Sequence, residues 1–99
     1  MIRYSIGTRY DVAYSVRIKR SAVKDLERIP ASDRERLVAA IDGLALRPLE
    51  GKVLKGALRG LRRIRVGRYR VIYEVQDGAL VVLVVRVAGR GEAYRGAIS

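Results

Sequence analysis

Residues 61–73 read LRRIRVGRYRVIY. Arginines alternate with apolar residues on both sides of Gly67-Arg68, the pattern of two strands joined by a tight hairpin. Glycine in the first turn position suits a type II′ turn, and a two-residue turn fixes register. Val66 is therefore expected to face Tyr69, Arg65 to face Arg70, Ile64 to face Val71, and Arg63 to face Ile72. Downstream, Asp77-Gly78 is a second two-residue signal, of the type I′ kind, between strands at about 69–76 and 79–87. It predicts Tyr73 opposite Val82, Val71 opposite Val84, and Arg70 opposite Val85. One face of this meander then holds Ile64, Val66, Val71, Tyr73, Val75, Leu80, Val82 and Val84, and suits a covering of helices. The other face holds Arg63, Arg65 and Arg70 at one end, with Ile72, Val81, Leu83 and Val85 beside them.

That second face raises an energetic question. Like charges directly opposed on a ladder cost about 0.2–1 kcal/mol against a neutral pair, so folding alone does not ask for Arg65 across from Arg70. An anion held between them reverses the sign, because guanidinium forks match phosphate oxygens in bidentate geometry. The structural alternative is that the arginines fan into solvent or pair with Glu74, which shares their face. The apolar half of the face reads either as a protein contact or as a surface covered by the tail or by residues 1–12.

Upstream, AYSVRIKR alternates Tyr14, Val16 and Ile18 against Ser15, Arg17 and Lys19, which predicts a first strand. Ser21 is placed to cap a short helix over AVKDLERI, with Val23, Leu26 and Ile29 on one face and Pro30 ending it. Ser32 and Glu35 make a capping box for a second helix, whose stripe is Leu37, Val38, Ile41, Leu44 and Ala45, and Pro48 closes it. Residues 49–60 read as a glycine-punctuated basic connection. The expected architecture is α+β, in the order β-α-α-β-β-β: two helices packed on a small, mostly antiparallel sheet, with the first strand joining its edge. Residues 1–12 show no period and are expected to be an arm before a single domain at 13–99.

Composition narrows the chemistry. The chain has 99 residues, with no cysteine and no histidine, which removes thiol nucleophiles, disulfides and the commonest metal ligand and neutral-pH base. No cofactor or metal is expected. The longest apolar run, ALVVLVV at 79–85, is too short to span a bilayer, so a cytoplasmic protein without membrane contact is expected. Net charge is +11, and residues 52–70 hold eight Lys or Arg with no acid. Such a field favours a polyanionic partner, although arginine-rich usage also serves as a solubilising face. Beyond the last strand, RVAGRGEAYRG adds Arg86, Arg90, Glu92, Tyr94 and Arg95 near the edge that carries Arg65 and Arg70.

In AYSVRIKRSAVKDLERIP, KVLKGALRGL, RRIRVGRYRVIYEV and VVRVAGRGEAYR, which follow in this order, the chain resembles the RelE/ParE superfamily of toxin–antitoxin toxins. The basic residues before the GRYRVIY turn and the tyrosine near the end bring it nearer the RelE branch. The resemblance implies a metal-independent endoribonuclease that enters the ribosomal A site and cuts mRNA. There the ribose 2′-OH attacks the adjacent phosphate, leaving a 2′,3′-cyclic phosphate and a 5′-OH. It implies catalytic roles for Arg63, Arg65, Arg70, Arg90 and Tyr94. Lys52, Lys55, Arg62, Arg68, Arg86 and Arg95 would hold RNA phosphates. Its implied partners are the ribosome, mRNA and an acidic RelB-like antitoxin folding over Ile72, Val81, Leu83 and Val85, with operator DNA reached only through the antitoxin complex. Gly89 stands where many relatives have histidine. That leaves Tyr94, Glu92 or a ribosomal group as the base, and Arg86 as a reserve for Arg90. A ParE-like gyrase inhibitor, or a degenerate toxin that only binds its antitoxin, is the alternative.

Overall fold

The computed structural model describes residues 13–89. Its elements are β1 (Ser15–Ile18), α1 (Arg20–Glu27), α2 (Ala31–Gly43), β2 (Lys52–Val53), β3 (Arg62–Val66), β4 (Tyr69–Gln76) and β5 (Val81–Gly89), with short 3-10 turns at Gly56–Leu58 and Asp77–Ala79. The sheet has five strands in the order β1-β5-β4-β3-β2. β1 runs parallel to β5, and every other pairing is antiparallel. The α+β expectation holds, with β2 as an added edge strand inside the stretch read as a plain connection.

The inner face packs on the helices. Val71, Tyr73, Val82, Val84 and Val87 meet Ala22, Leu26, Ile29, Leu37, Ile41 and Leu44 in one buried cluster, with Tyr14, Val16, Ile18, Ile64, Val66, Tyr69 and Val75 packed around it. Two stripe residues depart from expectation: Val23 and Val38 are 38% and 39% exposed, and Ala22 takes the buried place on α1. Neither expected cap forms. α1 starts one residue before Ser21 and α2 starts at Ala31, so both serines fall inside the first turn and neither helix has a side-chain cap bond. The Ser21 hydroxyl instead donates to the Val85 carbonyl at 2.9 Å.

The first hairpin has the register expected of it, with Arg65 opposite Arg70 and Arg63 opposite Ile72. Gly67 takes φ +60°, the left-handed backbone that a glycine-first turn needs. The second hairpin does not follow its expected register. Tyr73 faces Val84 rather than Val82, because the turn spans residues 77–80, with Leu80 left-handed at φ 56°. Tyr14 and the first residue of β1 anchor this wider loop: Tyr14 Oη donates to Asp77 Oδ1, and the Ser15 N–H donates to the Leu80 carbonyl, both at 2.8 Å. A bulge then inserts Val85, so that Ile72 faces Arg86, Val71 faces Val87 and Arg70 faces Ala88, not Val85. Leu80, expected on the inner face, is 43% exposed in the turn.

The outer face is covered at Ile72. Ile72 is 0% exposed and packs with Ala88 under Leu54, Leu58 and Leu61 of the connection that follows β2. That connection packs over it. Gly51 makes the fold-back possible: a Cβ there would lie 2.6 Å from the Tyr73 hydroxyl and 2.9 Å from the Arg63 carbonyl.

Candidate functional site

The site is built on the outer face at the β3–β4 turn. Directly paired residues share a face, so the Arg65–Arg70 rung places two guanidinium groups side by side, with Arg63 two residues along β3. β2 adds a fourth cation, because Lys52 pairs with Arg63. Lys52 and Arg65 are exposed, whereas Arg63 and Arg70 are half-buried, with their Nε atoms shut off from solvent. A cleft of about 360 Å³ is lined by Arg65, Gly67, Arg68, Tyr69 and Arg70. The guanidinium carbon of Arg68 lies 6.0 Å from the centroid of the Tyr69 ring.

The turn is fastened from behind. Asp33 in the first turn of α2 accepts from the Tyr69 hydroxyl at 3.3 Å and from Arg36 Nη2 at 2.7 Å. Arg36 Nη2 also lies 3.2 Å from where a Cβ on Gly67 would sit, so a side chain there would push Arg36 back by a few tenths of an ångström. The arginine cluster therefore sits on a turn whose position is set by α2.

Glu74, the acid that the sequence offered as a partner for the arginines, bonds along its own strand. Glu74 Oε1 accepts from Gln76 Nε2 at 2.8 Å, further along β4. Such a cluster can do one thing well: hold an anion and stabilise charge that grows on it, since guanidinium groups are permanent donors and poor bases.

The other expected phosphate ligands are dispersed. Arg62 Nη1 donates to the Gly51 carbonyl at 2.9 Å, so it staples the connection and lies off the outer cluster. Arg86 is held by Asp25, with Nε–Oδ2 at 2.9 Å and Nη2–Oδ1 at 3.4 Å. Lys55 is exposed on the connection after β2, and Arg68 is exposed at the turn tip. Val81, Leu83 and Val85 are half-buried along β5, and Leu83 lies between Arg17 of β1 and Glu74 of β4. Arg90, Glu92, Tyr94 and Arg95 lie outside the described residues.

Three residues that organise the site escaped the sequence reading: Asp33, Asp25 and Gly51. Asp33 was readable only as a first-turn acid. Arg86 was the available clue to Asp25, because it shares the parity of the inward Val82 and Val84 and so demands a bulge or a carboxylate.

The molecule is a five-stranded α+β sheet backed by two helices, with an arginine cluster at its first hairpin. A family model described as the ParE toxin of type II toxin–antitoxin systems matches residues 16–94. The chain belongs to this RelE/ParE family of type II toxin–antitoxin toxins. It is 36% identical over 91 residues to Toxin RelE of Mycobacterium tuberculosis, an alignment covering 86% of this chain and 90% of that protein. Among solved structures it is similar to the toxin of the RelBE2 toxin–antitoxin complex of M. tuberculosis, with TM-score 0.75 and 34% identity over 80% of this chain and 93% of that one. The archaeal RelE–RelB complex of Pyrococcus horikoshii gives TM-score 0.70 at 31% identity, over 82% of this chain and 99% of that one.

Proposed function

We propose that this toxin is a ribosome-dependent, metal-independent endoribonuclease that cuts mRNA, and that an acidic RelB-like antitoxin neutralises it. The observation that carries the reading is the Arg65–Arg70 rung, joined by Arg63 and Lys52 on one face beside a 360 Å³ cleft. The relatives named RelE support the same branch.

In this reading the scissile phosphate sits on the outer face between the guanidinium groups. The 2′-oxygen attacks phosphorus, the 2′-O–P bond forms and the P–O5′ bond breaks. Cyclic 2′,3′-phosphate and a 5′-hydroxyl result. The 2′-OH proton passes to a base, for which Tyr94, Glu92 and a ribosomal group are the candidates, and the leaving O5′ gains a proton. Arg63, Arg65 and Arg70 stabilise the charge that accumulates on the phosphorane-like transition state. The geometry favours a charge-stabilising site over an acid–base one, which fits dependence on the ribosome to orient the substrate.

Antitoxin binding rests on the complexes formed by the similar toxins and on the charge of +11, which suits an acidic chain that folds on contact. With Ile72 covered, its outer-face contacts reduce to Val81, Leu83 and Val85, alongside the exposed Val23 and Val38 of the helices.

The test is expression of the chain and of Arg70→Ala in growing cells, with transcript ends mapped. Codon-phased cuts in the parent, lost in Arg70→Ala together with toxicity, support the reading; equal toxicity without cuts sinks it. The matching family model carries the ParE name, which favours gyrase poisoning as the second reading. Stalled gyrase cleavage complexes with intact message would establish that reading instead.

A further inference from the structure

β1 ends at Ile18, so the edge of β5 beyond Val84 loses its parallel neighbour. The start of α1 takes over that edge. The Lys19 N–H donates to the Val84 carbonyl at 2.8 Å, and Ser21 Oγ donates to the Val85 carbonyl at 2.9 Å. Asp25 Oδ2 then accepts from the Val87 N–H at 2.9 Å, while the same carboxylate receives Arg86 Nε and Nη2. The Asp25 side chain is only 12% exposed. These contacts bracket the bulge.

The bulge decides what lies beside Arg70. With it, Ile72 faces Arg86, Val71 faces Val87, and Arg70 faces Ala88. Carrying the Tyr73–Val84 pairing onward without it would set Ile72 opposite Val85, Val71 opposite Arg86, and Arg70 opposite Val87. Arg86 would then aim at the helix core, and a valine would replace the alanine next to Arg70. A slip of one residue flips every side chain of a strand to the other face.

We infer that Asp25 is a positioning residue for the arginine site: by gripping Arg86 and the Val87 N–H it holds β5 in the bulged register. That register keeps Ala88 across from Arg70 and Gly89 across from Tyr69. A guanidinium held to a small tolerance is what transition-state stabilisation requires, and a shift of about 1 Å can cost ~100-fold in rate. The activity arm of the test rests on the nuclease reading; the register arm does not.

The experiment compares the full chain with Asp25→Ala by NMR and by cleavage of ribosome-bound mRNA. Asp25→Ala is expected to lose the cross-strand NOEs joining Arg70 to Ala88. Its single-turnover rate is expected to fall about tenfold or more, with ribosome affinity within about twofold of the parent. Intact Arg70–Ala88 NOEs in a folded Asp25→Ala chain overturn the inference, whatever its cleavage rate. If the NOEs go and the parent cuts no mRNA, the nuclease reading fails and the positioning of β5 stands. If they go and Asp25→Ala cuts like the parent, Asp25 does not serve the site. Should Asp25→Ala fail to fold, Asp25→Asn decides, since it keeps an oxygen for Val87 but loses the ion pair. It is expected to retain the NOEs while the Val87 amide exchanges about tenfold faster or more. An unchanged exchange rate overturns the inference.

Discussion

Tyr73 joins the core to the connection that covers the outer face. It is fully buried; its hydroxyl accepts from the Gly51 N–H and donates to the Pro48 carbonyl, each at 2.8 Å. Burial raises its pKa above the ordinary 10.0, opposed by the Gly51 hydrogen bond and the Arg62 charge. The folded state thus favours the neutral phenol. Its contribution is fully present below 10.0 and is lost as pH rises through the folded value, because the unfolded tyrosine ionises first. Tyr73→Phe is expected to cost about 1–3 kcal/mol at neutral pH, by stranding the Gly51 donor and the Pro48 acceptor. It should also flatten the alkaline fall in stability; urea titrations at neutral pH and near pH 10.5 check both effects. At the arginine site, Arg70→Lys keeps the charge but loses the planar fork. On the nuclease reading, cleavage is expected to fall at least about tenfold while ribosome binding holds, as read by single-turnover assays.

Among the elements, the two hairpins contrast. β3–β4 closes on Gly67, whose backbone freedom matches the turn. β4–β5 closes on Leu80, a bulky residue held left-handed where Tyr14 bonds one side of the loop and Ser15 of β1 the other. Leu80→Gly is therefore expected to stabilise the protein by about 0.5–1 kcal/mol, although glycine weakens most positions. Chemical denaturation checks it, and a loss of stability would mean that Leu80 packs more than its exposure suggests. The connection after β2 behaves as a small second core. Leu58 is buried against Ile72 there, so Leu58→Ala should cost about 2–4 kcal/mol and expose the outer face. Rising binding of an apolar dye under native conditions would report that exposure.

At the scale of the molecule, a charge of +11 is spread unevenly, and the fold gathers Lys52, Arg63, Arg65 and Arg70 from three strands onto one face. On the nuclease reading, binding to RNA is expected to weaken steeply with salt, because each neutralised phosphate releases counterion. Lys52→Gln with Arg65→Gln should reduce the slope of log K against log salt by about 1.4 for a single strand, since each contact contributes about 0.7. Filter binding at several salt concentrations measures it. An unchanged slope would place the RNA on another face. Lys52 is included because β2 pairs it with Arg63.

The sequence by itself determined the helices, the α+β class, the inner face and the Arg65–Arg70 rung. A two-residue glycine turn leaves one register, and strict alternation leaves one inward set. It could not determine the register of β5, because VVLVVRVAG is apolar on both parities and alternation carries no information there. Only the tertiary structure decided that, through Tyr14 and Ser15 widening one loop and Asp25 gripping the edge past the bulge. The cover on Ile72 was hidden for a related reason. Leu54, Leu58 and Leu61 fall at helical spacing, but Gly56 and Gly60 at positive φ interrupt the segment, which forms no α-helix, and the three are brought together by a fold-back that depends on Tyr73 reaching Gly51. Local pattern encodes what neighbours along the chain impose. Contacts between residues far apart in sequence exist only once the layers have packed.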